Sequence, residues 1–118
     1  MTQTFDFGPV PAHQHPNGGG WVADSARVAD TAYVGPMARV FGNARIYDNA
    51  RIYGTARVYG NAVATDDARV FSRAHVSGDA RVLDNARIFG SARVSGDAWV
   101  YGNAQIFGTD RITDGIHT

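Results

Sequence analysis

From Trp21 to Ile116 the chain repeats every six residues with no break in register: WVADSA, RVADTA, YVGPMA, RVFGNA, RIYDNA, RIYGTA, RVYGNA, VATDDA, RVFSRA, HVSGDA, RVLDNA, RIFGSA, RVSGDA, WVYGNA, QIFGTD, RITDGI. The second place is Val or Ile in fifteen of these sixteen units, the exception being Ala64. The sixth place is Ala in fourteen consecutive units, Ala26 to Ala104; the first is Arg in ten, and the fourth is Gly or Asp in fourteen. A period of six is neither that of an amphipathic helix nor the plain alternation of a long strand. A unit such as Arg57-Val58-Tyr59-Gly60-Asn61-Ala62 reads as a short strand followed by a corner. Neighbours in a strand face opposite ways, so the aliphatic residue points in and the first and third places point out. Gly and Asp in the fourth place suit a corner that needs left-handed φ. Pro36 cannot take positive φ, so its corner must differ. Ala in the sixth place turns inward where two walls meet, and Ala64 in an aliphatic place predicts a local narrowing or a small void.

The pattern aliphatic–x–Gly/Asp–x–Ala–x resembles the hexapeptide repeat of left-handed parallel β-helix proteins, over about four fifths of the chain. The resemblance implies an all-β fold in which three hexapeptides make one triangular coil of eighteen residues. Sixteen units then make just over five coils, with strands stacked at ~4.8 Å. Left-handed winding departs from the right-handed crossover rule. The opening Gly19-Gly20-Trp21-Val22 and the Asn-Ala-Arg-Val style of unit resemble a bacterial and phage subgroup often labelled acyltransferases on the repeat alone. Family members are usually trimers of parallel prisms. Family acyltransferases bind acyl-coenzyme A in the groove between neighbouring prisms and use a His on an interrupting loop, or at the subunit junction, as general base. In this chain no loop interrupts the repeat.

Residues 1–20 lie outside the period and read as a cap or arm, residues 21–116 as the solenoid, and 117–118 as a tail. A solenoid exposes its first coil, so a terminal segment usually covers it; Phe5, Phe7 and Val10 are the candidate cap residues, with a short strand over Phe5 and Phe7. His13 and His15 form an H-x-H pair. On one strand they would share a face and could share a metal, but no third ligand is near in sequence, and a solvated, Pro-flanked loop is the simpler reading.

Folding the repeat at eighteen residues places outward residues in columns on three walls. Wall one carries Phe41, Tyr59, Ser77, Ser95 and Thr113 beside Trp21, Arg39, Arg57, His75, Arg93 and Arg111. Wall two carries Tyr47, Thr65, Leu83 and Tyr101 beside Arg27, Arg45, Val63, Arg81 and Trp99. Wall three carries an aromatic ladder, Tyr53, Phe71, Phe89 and Phe107, beside Tyr33, Arg51, Arg69, Arg87 and Gln105. So much outward apolar surface is unusual for a monomer, and a homo-oligomer, a trimer on the family precedent, is expected, with Tyr53, Phe71, Phe89 and Phe107 at its interface. The same wall, through Arg51, Arg69, Arg87, Tyr53, Phe71 and Phe89, suits a small anionic, ring-bearing ligand such as a nucleotide: guanidinium to phosphate, ring to base. One corner stacks Asp30, Asp48, Asp66 and Asp84 beside Thr31, Asn49, Asp67 and Asn85. That column is read either as a cation site or as Asx turns neutralised by nearby Arg.

Composition narrows the function. The formal net charge is zero, which argues against long nucleic acid and acidic lipid. All eleven basic residues are Arg, the fork-shaped cation suited to carboxylate, phosphate and aromatic faces. There is no Cys, hence no disulfide and no thiolate metal site. No apolar run approaches membrane-spanning length and no export signal stands out, so a cytoplasmic protein is expected. His75, in an Arg place, is a weak catalytic candidate; no Ser-His-Asp or Cys-His set accompanies it, and His117 is too distant in coils to share a zinc with it. The reading is a rigid, self-assembling structural or ligand-binding module without catalysis and without a cofactor. An acyltransferase-like enzyme and a binder of small nucleotides are the alternatives.

One residue inserted after Tyr59 moves every later Val or Ile off the inner face, so the variant should lose its cooperative thermal transition; melting like the parent would refute the period.

Overall fold

The computed structural model describes Thr2–Phe5 and Gly8–Thr118, with side chains from Pro11 onward. Among the described residues there is no helix; short parallel strands stack in three sheets, forming a β-solenoid of about five coils. Wall one runs Trp21–Ala23, Arg39–Val40, Arg57–Val58, His75–Val76, Arg93–Val94 and Arg111–Ile112. Wall two runs Arg27–Val28, Arg45–Ile46, Val63–Ala64, Arg81–Val82, Trp99–Val100 and Ile116–His117, and wall three Tyr33–Val34, Arg51–Ile52, Arg69–Val70, Arg87–Ile88 and Gln105–Ile106. Each strand pairs with the one eighteen residues away, as in Arg69↔Arg51 and Arg69↔Arg87.

The repeat closes because its backbone groups are satisfied by the next coil. Arg51 N–H donates to Ala68 O, Tyr53 N–H to Val70 O and Thr55 N–H to Ser72 O, at 2.9, 3.0 and 2.9 Å. The N–H groups of the first, third and fifth places thus reach the coil seventeen residues ahead, unit after unit. The interior is what remains between three walls tied this way. Val or Ile of the second place and Ala of the sixth are fully buried through most of the solenoid. Ala64 pairs with Ile46 and Val82 and is itself fully buried, so the short side chain does not disturb the register.

Corners follow the expected conformation from the second coil on. Every fourth-place residue from Gly42 to Gly108 has positive φ, between 57° and 68°, including Asp48, Ser72, Asp66 and Asp84. Pro36 is not among them, nor are Asp24 and Asp30 of the first coil. At the corner glycines from Gly42 to Gly96 the next coil leaves no space: a Cβ on Gly78 would sit 2.7 Å from the Gly96 nitrogen. Where Asp stands, the side chain has a task. Asp84 N–H donates to Asp66 Oδ2 at 3.2 Å, Gly102 N–H to Asp84 Oδ2 at 3.1 Å, and the Thr65 hydroxyl to Asp48 Oδ2 at 2.9 Å. Asp66 and Asp84 are therefore engaged by the next coil's backbone and Asp48 by its Thr65 hydroxyl, rather than by Arg, which corrects the expectation of Arg neutralisation for these three. Among the described residues no group of three or more His or Asp could hold a metal ion.

The two ends depart from the period. At the N-terminus, β1 (Thr2–Phe5) and β2 (Gly8–Gln14) form an antiparallel hairpin, and β2 pairs antiparallel with β3 (Trp21–Ala23), extending wall one. Phe7 and the side chains of Phe5 and Val10 lie outside the described residues. What the hairpin brings down is Ala12, which packs with Ala23 and Phe41. Phe41, expected on the outside, is only 4% exposed; the cap reaches one coil further than the repeat suggests. The Gly-rich loop after β2 covers wall three, with Gly20 N–H on Val34 O and Val34 N–H on Asn17 O. At Gly18 the contact is closest, since a Cβ there would lie 2.2 Å from Val34 O.

At the C-terminus the last corner is one residue short. Trp99 pairs with Ile116 and Val100 with His117, where an unbroken period would pair Trp99 with His117. Ile116 thereby turns outward, 67% exposed, and His117 takes the inner place, its Nε2 3.0 Å from Asp114 O. The expected boundary between solenoid and tail at 116/117 thus falls inside a strand. Arg111 and Ile112 still pair in period with Arg93 and Val94, so the slip falls in the Thr113-Asp114-Gly115 corner.

At position 66 the corner chemistry predicts an order. Asp66→Gly should cost least, because Gly adopts left-handed φ freely. Asp66→Ala should cost about 1–2 kcal/mol more, since Ala has the left-handed penalty and no acceptor to offset it. Urea unfolding of the two variants measures this; equal stabilities would show the corner to be unstrained.

Candidate functional site

Wall three presents two columns two residues apart along each strand. Register places Arg51, Arg69 and Arg87 directly above one another, with Tyr33 before them and Gln105 after. Arg51 and Arg87 are exposed and Arg69 is half-buried. Among the described residues none of the three makes a hydrogen bond or an ion pair. The second column is a continuous stack of rings. Tyr53–Phe71, Phe71–Phe89 and Phe89–Phe107 have centroids 4.9, 5.1 and 5.3 Å apart and interplanar angles of 2°, 6° and 12°. The strand spacing of ~4.8 Å sets that separation. Identical backbone geometry in each coil makes the rings parallel. Phe71 and Phe89 have both faces covered by neighbouring rings, so edges and not faces look outward. Phe107, at the end of the stack, is 51% exposed.

This geometry reshapes the ligand expectation. A planar base cannot lie on Phe71 or Phe89 without breaking the stack; ring faces are open only at its two ends. What remains along the wall is the Arg column. It borders a groove of about 550 Å3 whose other bank is Asn49, Asp67 and Asn85. The same Asn and Asp residues also border a second groove, about 760 Å3, that contains Asp48, Asp66 and Asp84. The Arg column thus runs alongside the acidic corner, both at the pitch of one coil.

The remaining candidates are scattered. His75 lies on wall one, half-buried, in register between Arg57 and Arg93 and edge-on to Tyr59 with centroids 6.3 Å apart. Tyr59 stacks in turn on Phe41 at 4.8 Å. His13 is exposed on β2 with Nδ1 2.8 Å from Asp24 Oδ1, whereas His15, just past β2, is 3% exposed with Nε2 2.8 Å from Ala32 O. The two histidines do not share a face, and His15 is not the solvated loop residue expected, because the turn that carries it folds down over the first coil.

A second apolar region was only half legible in the sequence. On wall two Leu83, Trp99, Tyr101 and Ile116 line a cavity of about 520 Å3. Trp99 is 39% exposed, and the Arg81 guanidinium lies 4.8 Å from its ring centroid. The columns already put Leu83, Trp99 and Tyr101 outside. Ile116 joins them only through the short last corner, whose signal is the loss of the sixth-place Ala after Ala104.

A family model described as the YdcK beta solenoid repeat matches residues 38–54, 44–60, 50–66 and 86–102. Three of these windows step by six residues, the period of the chain. No curated protein and no solved structure matches the chain significantly. The fold and this match agree that the chain is a β-solenoid repeat protein.

Proposed function

We propose that this chain is a rigid, non-catalytic module of the cytoplasm that assembles with copies of itself through wall three, as a trimer of parallel, left-handed prisms. The observation that carries this reading is the outward stack Tyr53–Phe71–Phe89–Phe107. A stack one ring wide and four rings long is a straight apolar strip on an inflexible support, since each coil is hydrogen-bonded to the next. The ring edges, with exposed Phe107 at the end of the stack, form the open part of that strip, and with zero formal net charge no repulsion holds copies apart. Closed symmetry covers such a strip without open-ended aggregation. The trimer and its handedness are what the hexapeptide resemblance implies. The resemblance also raises an acyltransferase, but the repeat has no interrupting loop, and His75 is engaged with Tyr59. Among the described residues no helix is long and apolar enough to cross a membrane.

Light scattering tests the assembly. The parent should be oligomeric at micromolar concentration. Phe71→Glu with Phe89→Glu should give a folded monomer, less stable by roughly 3 kcal/mol through lost ring burial. A monomeric parent refutes the reading.

A second reading, an anion bound along Arg51, Arg69 and Arg87, is favoured by the absence of partners for these three guanidiniums among the described residues. Bidentate Arg–phosphate contacts are the strong form of such binding. ATP should then raise the melting temperature while adenosine does not, because the ring faces are occupied, and Arg69→Gln should abolish the rise. Equal shifts with both ligands would count against it.

A further inference from the structure

A threefold ring is heterologous: each copy must offer two different surfaces, one to each neighbour. The proposed function supplies one of them, wall three, and the present inference rests on that reading. Its complement has to be wall one or wall two, and the structure separates them. Wall one is occupied at its N-terminal end by the hairpin, which buries Phe41 against Ala12 and Ala23. Further along, its third-place residues are Ser77, Ser95 and Thr113, which offer nothing apolar. Wall two carries Leu83, Trp99, Tyr101 and Ile116 around an apolar cavity of about 520 Å3, with Trp99 and Ile116 exposed.

We infer that wall two is the complementary surface: the ring column of one copy seats on wall two of the next. Facing walls of two parallel prisms run in opposite directions around the coil. The third-place column of wall three therefore meets the first-place column of wall two, and the reverse. At equal height Phe107 then faces Trp99, Phe89 faces Arg81, Phe71 faces Val63 and Tyr53 faces Arg45 of the neighbour. Conversely, Arg87, Arg69 and Arg51 face Leu83, Thr65 and Tyr47. Ring edges meet an indole, an aliphatic group or the methylene stems of Arg81 and Arg45, which cover apolar surface while their charged heads stay in water. No Arg faces an Arg. Arg81, which already lies over Trp99, is held near the ring edges it would meet. A twofold pairing of wall three with itself would also oppose rings to Arg, but it leaves Leu83, Trp99 and Tyr101 in water; the heterologous ring covers both apolar faces.

Two variants decide the matter. One carries Leu83→Glu and Trp99→Glu on wall two; the other carries Phe71→Glu and Phe89→Glu on wall three. Each alone should be a folded monomer by circular dichroism and light scattering. Mixed in equal amounts they should form a 1:1 heterodimer, because each retains one intact surface and the two are complementary. If the wall-two variant keeps the parent's mass while the wall-three variant is monomeric, this inference fails and the self-assembly reading stands. If the parent is monomeric, both fail. Because the chain has no cysteine, a milder version is available should the Glu variants not fold. Trp99→Cys and Phe107→Cys chains, mixed and oxidised, should give a cross-linked heterodimer and little homodimer. A cross-linked heterodimer from mixed Phe107→Cys and Gln105→Cys chains would instead support wall three against itself and overturn the proposal.

Discussion

The hydrogen bonds between coils govern everything else in this protein. Arg51 N–H to Ala68 O and Tyr53 N–H to Val70 O recur in equivalent form around all three walls, and they hold each residue above the one eighteen positions earlier. A buried backbone group without a partner costs about as much as a lost hydrogen bond, so a residue gained or lost in the central coils leaves groups unpaired, whereas the short last corner, at the end of the stack, keeps Trp99 N–H on Gly115 O. The interior inherits this regularity. Three walls meeting at fixed distance admit one Val or Ile per strand and one Ala per corner, and little else.

The same constraint stacks like on like outside, which suits some side chains and not others. Rings gain from it: Tyr53 to Phe107 form one column with centroids 4.9 to 5.3 Å apart. Carboxylates would repel, and the acidic corner relieves this by turning Asp66 and Asp84 onto the N–H groups of the following coil. Elsewhere a cation is matched to a ring, as Arg81 is to Trp99. Along Arg51, Arg69 and Arg87 no such compensation exists among the described residues. Wall three is where such an Arg column lies beside the ring stack, and an interaction with something outside the chain has much to gain there.

The ends determine which walls stay free. The antiparallel hairpin closes wall one over Phe41, and a short last corner turns Ile116 out beside Trp99. Both are breaks of the repeat, and together they make three nearly equivalent walls unequal. One is covered, one carries an uninterrupted ring stack, and one carries an apolar hollow.

Period, inner residues, corner conformation and the columns on each wall were all legible in the sequence, because each depends only on residues within one unit or eighteen apart. From Gly42 to Gly108 the run of Gly and Asp foretold left-handed turns for the same local reason, whereas Ser72 takes one without either residue and Asp24 and Asp30 of the first coil do not take it. Three things were not legible. The burial of Phe41 depends on where a segment outside the period folds back. The outward turn of Ile116 depends on a strand pairing that the six-residue count alone places one residue away. The loss of the ring faces on wall three as a binding platform depends on how closely parallel strands bring the rings together. Local pattern decided what each unit becomes; only long-range pairing decided which of its faces remain open.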